Sequence, residues 1–317
     1  MKIKHLLLLL LVTIQSCKSQ SNVNTESIKK SFLQEQTEIG TPIWKYLRSN
    51  SYTLNSLNEA DFTHKIDSLK NIYTTQLNKY KGKLDKYTFN DESLGINYAF
   101  DKFILEYPQK HEYFTGEKIV LSKKNQSKLD NLLFYFNDAD NLSNKDFKMF
   151  VKSFIRIESN KKLKSKIYDK LDNQQLNADW NTIESIFTNQ EVNDFWKQEY
   201  LYYHIDNLGI KNIDRFYSSF ITSCKTPEYT SKIRNIYDLE KKGRESHIIE
   251  TYKKVDGYEL EMHLFLPDTS VFKGNRPTIV YFHGGSWSIG KPDWFFETGK
   301  EYAKQGWVAT AVEYRIK

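Results

Sequence analysis

The residues best suited to chemistry in this 317-residue chain form one run, His283–Gly284–Gly285–Ser286–Trp287–Ser288–Ile289–Gly290–Lys291–Pro292. Three chemistries compete for it. Gly285, Gly290 and Lys291 have the spacing of a phosphate-binding loop, in which amides cradle phosphate and the lysine reaches it. That loop needs Ser or Thr after the lysine. Pro292 offers neither a hydroxyl nor an N–H. Dithiol redox chemistry needs a cysteine pair, and the run has no cysteine. The third chemistry is oxyanion stabilisation. Charge that develops on a carbonyl oxygen during acyl transfer is met best by preorganised backbone N–H groups. Glycine lets the backbone approach closely and turn sharply.

The elements around the run suit that third use. Thr278–Ile279–Val280–Tyr281–Phe282 is a continuous apolar, β-branched stretch, expected to be a strand buried on both faces. A helix is expected from about Asp293 to Gln305, ended by Gly306. Trp307 to Arg315 reads as another buried strand, completing a βαβ unit with parallel strands. Upstream, Ile248–Val255 and Tyr258–Leu266 alternate around Asp256–Gly257, a hairpin signal. Leu260, Met262, Leu264 and Leu266 are expected on one face, and Pro267 closes the strand.

Residues 247–317 thereby resemble the start of an α/β-hydrolase, specifically the carboxylesterases and lipases with an HGG(G) loop. The residues that carry the resemblance are His283–Gly284–Gly285–Ser286–Trp287 with Gly290, the hairpin at Asp256–Gly257, and Val312–Glu313–Tyr314–Arg315 at a strand end. The resemblance implies that Gly285 and Ser286, then Gly284, donate backbone N–H groups to an oxyanion. It implies that His283 orders the loop and is not the general base. Trp287 would sit beside an acyl pocket. Ser286 stands where many relatives have Gly or Ala, and only its backbone would act.

In that family the nucleophile sits on a G-x-S-x-G turn, followed by Asp or Glu and then His. No G-x-S-x-G occurs in the 317 residues; neither Ser286 nor Ser288 has Gly at both the −2 and the +2 position. Nucleophile, acid and base are therefore not assigned. Two expectations follow: a piece of a longer esterase, or a short form in which the half-domain serves binding or assembly. Either way, residues 247–317 are expected to be poorly stable alone, because an open sheet edge leaves backbone groups unpaired.

From Glu26 to about Arg244 apolar residues recur at three and four, with sparse Gly and Pro, so this region reads as helical. Helices are marked by Leu57–Leu77, Leu129–Phe136, Phe147–Ile157, Trp180–Phe187, Phe195–Ile205 and Ile213–Ile221. Ser143 or Asn144 would cap the third. Breaks are expected at Gly40–Thr41–Pro42, Tyr107–Pro108, Leu208–Gly209 and Thr226–Pro227. Aromatic stripes at helical spacing read as core. His64, His111 and His204 are isolated and read as hydrogen-bonded structural residues, so no metal is expected. The layout weakly resembles the helical region that precedes the thioredoxin-like domain of some bacterial envelope lipoproteins.

At the other end, Lys2, Lys4 and His5 precede a short apolar stretch, Leu6 to Ile14, too short to span a bilayer. Ile14–Gln15–Ser16–Cys17 resembles a bacterial lipoprotein signal. That implies cleavage before Cys17, lipidation of its thiol, and anchorage to a membrane facing the periplasm or cell exterior. Cys224 is the other cysteine of two, which leaves no disulfide framework.

Lys+Arg 46 against Asp+Glu 40 gives +6, with the charges interleaved along the chain. This is a solvated surface, and no nucleic-acid partner is expected. Aromatics at 15% and hydrophobics at 39% are enough for packed cores. The expected organisation is a signal peptide (1–16), a lipidated tether (17–25), a helical domain (26–245) and the first part of an α/β-hydrolase domain (246–317). The fold class is α plus α/β, with one hairpin and one βαβ unit. The expected function is an envelope-anchored serine ester hydrolase acting on a small-molecule ester without a cofactor, its triad missing from this chain. The alternative is a non-catalytic lipoprotein whose helical domain binds a partner or ligand.

Overall fold

The computed structural model describes residues 3–165 and 173–316, with side chains from Glu26 onward. The signal-peptide and Cys17 expectations lie outside the described side chains. Two compact units divide at Phe154/Ile155.

The first unit is helical: α1 (Ile3–Ser49), α2 (Ser51–Asn55), α3 (Glu59–Asn78), α4 (Lys86–Thr115), α5 (Lys123–Leu133) and the start of α6 (Lys145–Ser165). Asn58 and Asp85 cap α3 and α4 by accepting from the amides of Asp61 and Thr88. Asn144, one of the two expected caps, accepts from the amides of Asp146 and Phe147. The aromatic stripes are core: Phe62, Tyr98, Phe100, Tyr107, Phe147 and Phe150 are buried, and Phe62 stacks on Tyr107 at 4.3 Å.

Two expected breaks are absent. Pro42 lies inside α1 and Pro108 inside α4. Packing overrides the lost hydrogen bond in both places. At Pro42, the neighbouring Gly40 brings α1 so close to α3 that a Cβ there would lie 2.3 Å from the Tyr73 hydroxyl. Beside Pro108, buried Tyr107 donates its hydroxyl to the Leu57 carbonyl at 2.6 Å.

The second unit contains α7 (Gln174–Ile186), α8 (Gln190–Leu208), α9 (Asp214–Ser223) and α10 (Pro227–Arg244), then β1 (Ile248–Val255), β2 (Tyr258–Phe265), β3 (Thr278–Phe282), α11 (Phe296–Lys304) and β4 (Val308–Val312). Leu176, Trp180, Leu201, Ile205, Phe216, Phe220 and Ile233 form the helical core. The expected breaks hold here: Gly209 ends α8 at φ +84°, and Pro227 opens α10. The switch of period near residue 245 is a change of secondary structure inside this unit.

The sheet order is β1-β2-β4-β3, with β3 and β4 parallel and the other pairs antiparallel. Asp256 and Gly257 turn the hairpin with both φ values positive. Two expectations about faces are corrected. The buried residues late in β2 are His263 and Phe265, while Leu266 is exposed. The reason is α11, whose Gly299 comes so close that a Cβ there would lie 2.5 Å from the Phe265 ring. Likewise β3 is not buried on both faces. It is an edge strand covered on one side, and Val280 and Phe282 are exposed on the other. By contrast β4, between two strands, buries Ala309 to Val312.

Candidate functional site

The His283–Gly290 loop leaves the carboxyl end of β3, beside the carboxyl end of β4. In open parallel sheets this end is where ligands bind, because loops and unpaired amides collect there. Gly285, Ser286 and Trp287 have consecutive positive φ values of +113°, +53° and +57°. The carbonyl of Gly285 accepts from the amides of Ser288 at 3.0 Å and Ile289 at 3.2 Å, closing a tight turn. Glycine is required at both ends of it. A Cβ at Gly285 would lie 1.9 Å from the Ile289 carbonyl oxygen, and one at Gly290 would lie 2.1 Å from Nδ1 of His283.

The turn leaves donors free. Among the described residues, the N–H groups of Gly284, Gly285, Ser286 and Trp287 meet no hydrogen-bond acceptor. Gly284 and Ser286 are exposed and Gly285 is half-buried. Unsatisfied amides grouped on one turn form a ready acceptor site for an oxyanion or a carbonyl oxygen.

His283 is buried inside the loop. Its Nδ1–H donates to the Gly284 carbonyl at 2.9 Å, and its ring stacks on Tyr314 at 4.1 Å. The Tyr314 hydroxyl donates in turn to the His283 carbonyl. Trp287 is exposed.

Sequence reasoning missed what anchors the loop from behind. The Gly290 amide donates to the Asn207 carbonyl at 2.9 Å. Lys291 is buried, and its Nζ donates to the Ile205 carbonyl at 2.9 Å and to Glu240 at 2.7 Å. The lysine that fits a phosphate-loop spacing is therefore spent on α8 and α10. Burial, then a hydrogen bond with Glu240, raises the Asp293 pKa far above the usual carboxylate range. Lys291 itself is bonded to Glu240. On the other side Glu313 accepts from Lys211 at 2.8 Å and from the Tyr258 hydroxyl at 2.7 Å. The only signal for either network was a charged residue inside an otherwise apolar or Gly-rich stretch.

The histidines divide. His111 is hydrogen-bonded, with Nδ1 2.7 Å from the Asn55 carbonyl, and His64 is exposed. His204 is buried but has no hydrogen-bond partner among the described residues, which corrects its reading as a satisfied structural histidine. No cluster of three metal-ligating side chains occurs among the described residues. Cys224 is half-buried, with its Sγ 3.5 Å from the Thr226 carbonyl.

A cavity of about 860 Å³ lies in this unit, lined by His204, Asp179, Tyr258, His283 and Ser288 to Gly290 among others. Gly284, Gly285 and Ser286 are not in its walls. The site thus has two parts: the free amides of the loop, and a cavity touching the loop at His283 and Gly290.

No family model and no curated protein matches this chain. Among solved structures it is similar to esterase 2 of Thermogutta terrifontis in its apo form, at 33% identity over 23% of this chain and 27% of that one, TM-score 0.22. The propionate-bound form gives 35% identity over 22% and 26%, TM-score 0.21. The form phosphorylated by paraoxon gives 33% over 23% and 28%, TM-score 0.22. The chain therefore spans little more than a quarter of the length of the esterase chains it matches.

Proposed function

We propose that this chain carries the oxyanion-binding part of a serine ester hydrolase of the carboxylesterase type. The observation that supports this reading is the group of free amides at Gly284, Gly285, Ser286 and Trp287 at the carboxyl end of β3. In acyl transfer the nucleophile attacks the ester carbonyl carbon and negative charge moves to the oxygen. Donors already in place stabilise that charge without reorganising, and one such donor is worth about 10²–10³ in kcat. Gly285 and Ser286 are the assigned donors, with Gly284 next. His283, held between the Gly284 carbonyl and Tyr314, is a positioning residue.

A nucleophile beside the free edge of β3 would face these amides. No G-x-S-x-G in the 317 residues offers one. The purified chain is therefore expected to hydrolyse p-nitrophenyl acetate at the background rate. Joined to a segment that carries a G-x-S-x-G, the chain should hydrolyse the ester, and Gly285→Ala should abolish that activity. Robust hydrolysis by the 317-residue chain, or a joined product that Gly285→Ala leaves fully active, overturns the reading.

We further propose that Cys17 is lipidated and holds the protein at a bacterial membrane. Several acyl chains at about 0.8 kcal/mol per buried CH₂ suffice for stable anchorage. No described helix is long and apolar enough to cross a membrane. Palmitate labelling that disappears in Cys17→Ala tests the anchor.

A further inference from the structure

The cavity behind the loop has a chemistry of its own. Its volume of about 860 Å³ is within the range of small-molecule pockets. His204 lines it from the last turns of α8. The ring is buried, with only 7% of the residue exposed, and has no hydrogen-bond partner among the described residues. Buried polar groups are normally satisfied, so an unsatisfied one on a cavity wall points to a partner that enters from the cavity. The position of His204 is fixed, because α8 is bonded to the loop twice, through Asn207 to Gly290 and Ile205 to Lys291.

The charges on the walls limit what can enter. Lys291 is neutralised by Glu240 at 2.7 Å, and Glu313 by Lys211 at 2.8 Å. Arg315 pairs with Asp256 at 3.6 Å. Among the described lining residues, each lysine or arginine is paired with a carboxylate. Burial, then the charge of Lys291, lowers the His204 pKa to about 4, so the ring is neutral at physiological pH. A neutral imidazole offers one donor and one acceptor, the complement of a hydroxyl. Asp179, which accepts from Gln175 at 3.0 Å, adds acceptor capacity on the same wall. Tyr200 and Tyr203 add aromatic surface.

We propose that this cavity binds a neutral, multiply hydroxylated molecule of sugar or polyol chemistry, with His204 hydrogen-bonded to a ligand hydroxyl. The inference is independent of ester hydrolysis, since it concerns equilibrium binding.

The test uses the full chain and saturation-transfer NMR with calorimetry. Xylobiose, cellobiose, maltose and sorbitol are the probes, with inorganic phosphate and benzylamine as charged comparators. At least one hydroxylated probe is expected to bind with millimolar or tighter affinity. His204→Phe should weaken it tenfold or more, and His204→Gln, which keeps a donor and an acceptor, by less. If His204→Phe does not fold, His204→Gln and a ligand-induced shift of the His204 ring nitrogens in the unaltered protein carry the test. The proposal is overturned if none of the four binds, if binding ignores His204, or if phosphate or benzylamine binds through His204 instead.

Discussion

The Gly290 amide donates to the Asn207 carbonyl at 2.9 Å, tying the Gly-rich loop to the end of α8. One hydrogen bond thus links a helix that reads as anonymous in sequence to the segment that reads as chemical. Gly290 also sits at φ +120° against the His283 ring. The loop is therefore fixed from both sides while the amides between them stay free.

Gly290→Ala should be severe and Gly257→Ala mild. A Cβ at Gly290 would lie 2.4 Å from the Gly284 carbonyl oxygen, whereas one at Gly257 meets nothing within 4 Å. Both have positive φ, which alone costs about 1–2 kcal/mol. Urea unfolding should show roughly that loss for Gly257→Ala and at least 2 kcal/mol more for Gly290→Ala. Equal losses would refute the close packing around His283.

Lys291→Met should destabilise the second unit by about 3–5 kcal/mol, because it leaves the largely buried Glu240 carboxylate without its cation. The double variant Lys291→Met/Glu240→Gln should recover part of that loss. A double-mutant cycle by denaturant titration reads the coupling, and strict additivity would contradict the Lys291–Glu240 pair at 2.7 Å.

Acidification should weaken the fold through two histidines. Nε2 of His247 and Nδ1 of His263 are 2.7 Å apart. Burial, then the charge of Arg244, lowers their pKa values to about 4 and about 3, against about 6.5 when unfolded. Below pH 6.5 the unfolded chain gains protons that the folded chain refuses. Stability present above that pH is lost as pH falls towards 4, by at most about 1.4 kcal/mol per pH unit for the buried His263 and by less for the half-buried His247. In His263→Phe the difference in unfolding free energy between pH 7 and pH 5 should shrink. An unchanged difference would remove His263 as a cause.

Tyr314→Phe removes the hydroxyl that bonds the His283 carbonyl but keeps the stacked ring. It should cost about 1 kcal/mol, whereas Tyr314→Ala should cost about 3 or more by also uncovering His283. Thermal unfolding compares them, and equal losses would mean that the stack contributes nothing.

Much of the architecture was legible because local rules decide it. Apolar period separated helices from strands, and Asp256–Gly257 specified a hairpin since both positions need positive φ. The boundaries of β1 and β3, and the glycines of the loop, were readable for the same reason. Long-range packing decided the rest. Pro42 and Pro108 stay helical because neighbouring helices hold their segments, and no local signal reports that. His263 and Phe265 turn inward because α11 covers their face, although the alternation of β2 favoured the leucines. Pro292 already argued against a phosphate role for Lys291, but only the structure shows its use: two hydrogen bonds in the interior, to Ile205 and Glu240, 86 and 51 residues away. His204 looked like an ordinary core residue until the cavity beside it left the ring without a partner. Sequence by itself pointed to the residues of the Gly-rich loop, because Gly285 and Gly290 sit where a Cβ would collide with the backbone or with His283. Only tertiary structure decided which amides stay free and which charges are spent, because hydrogen-bond partners in a buried unit come from distant segments.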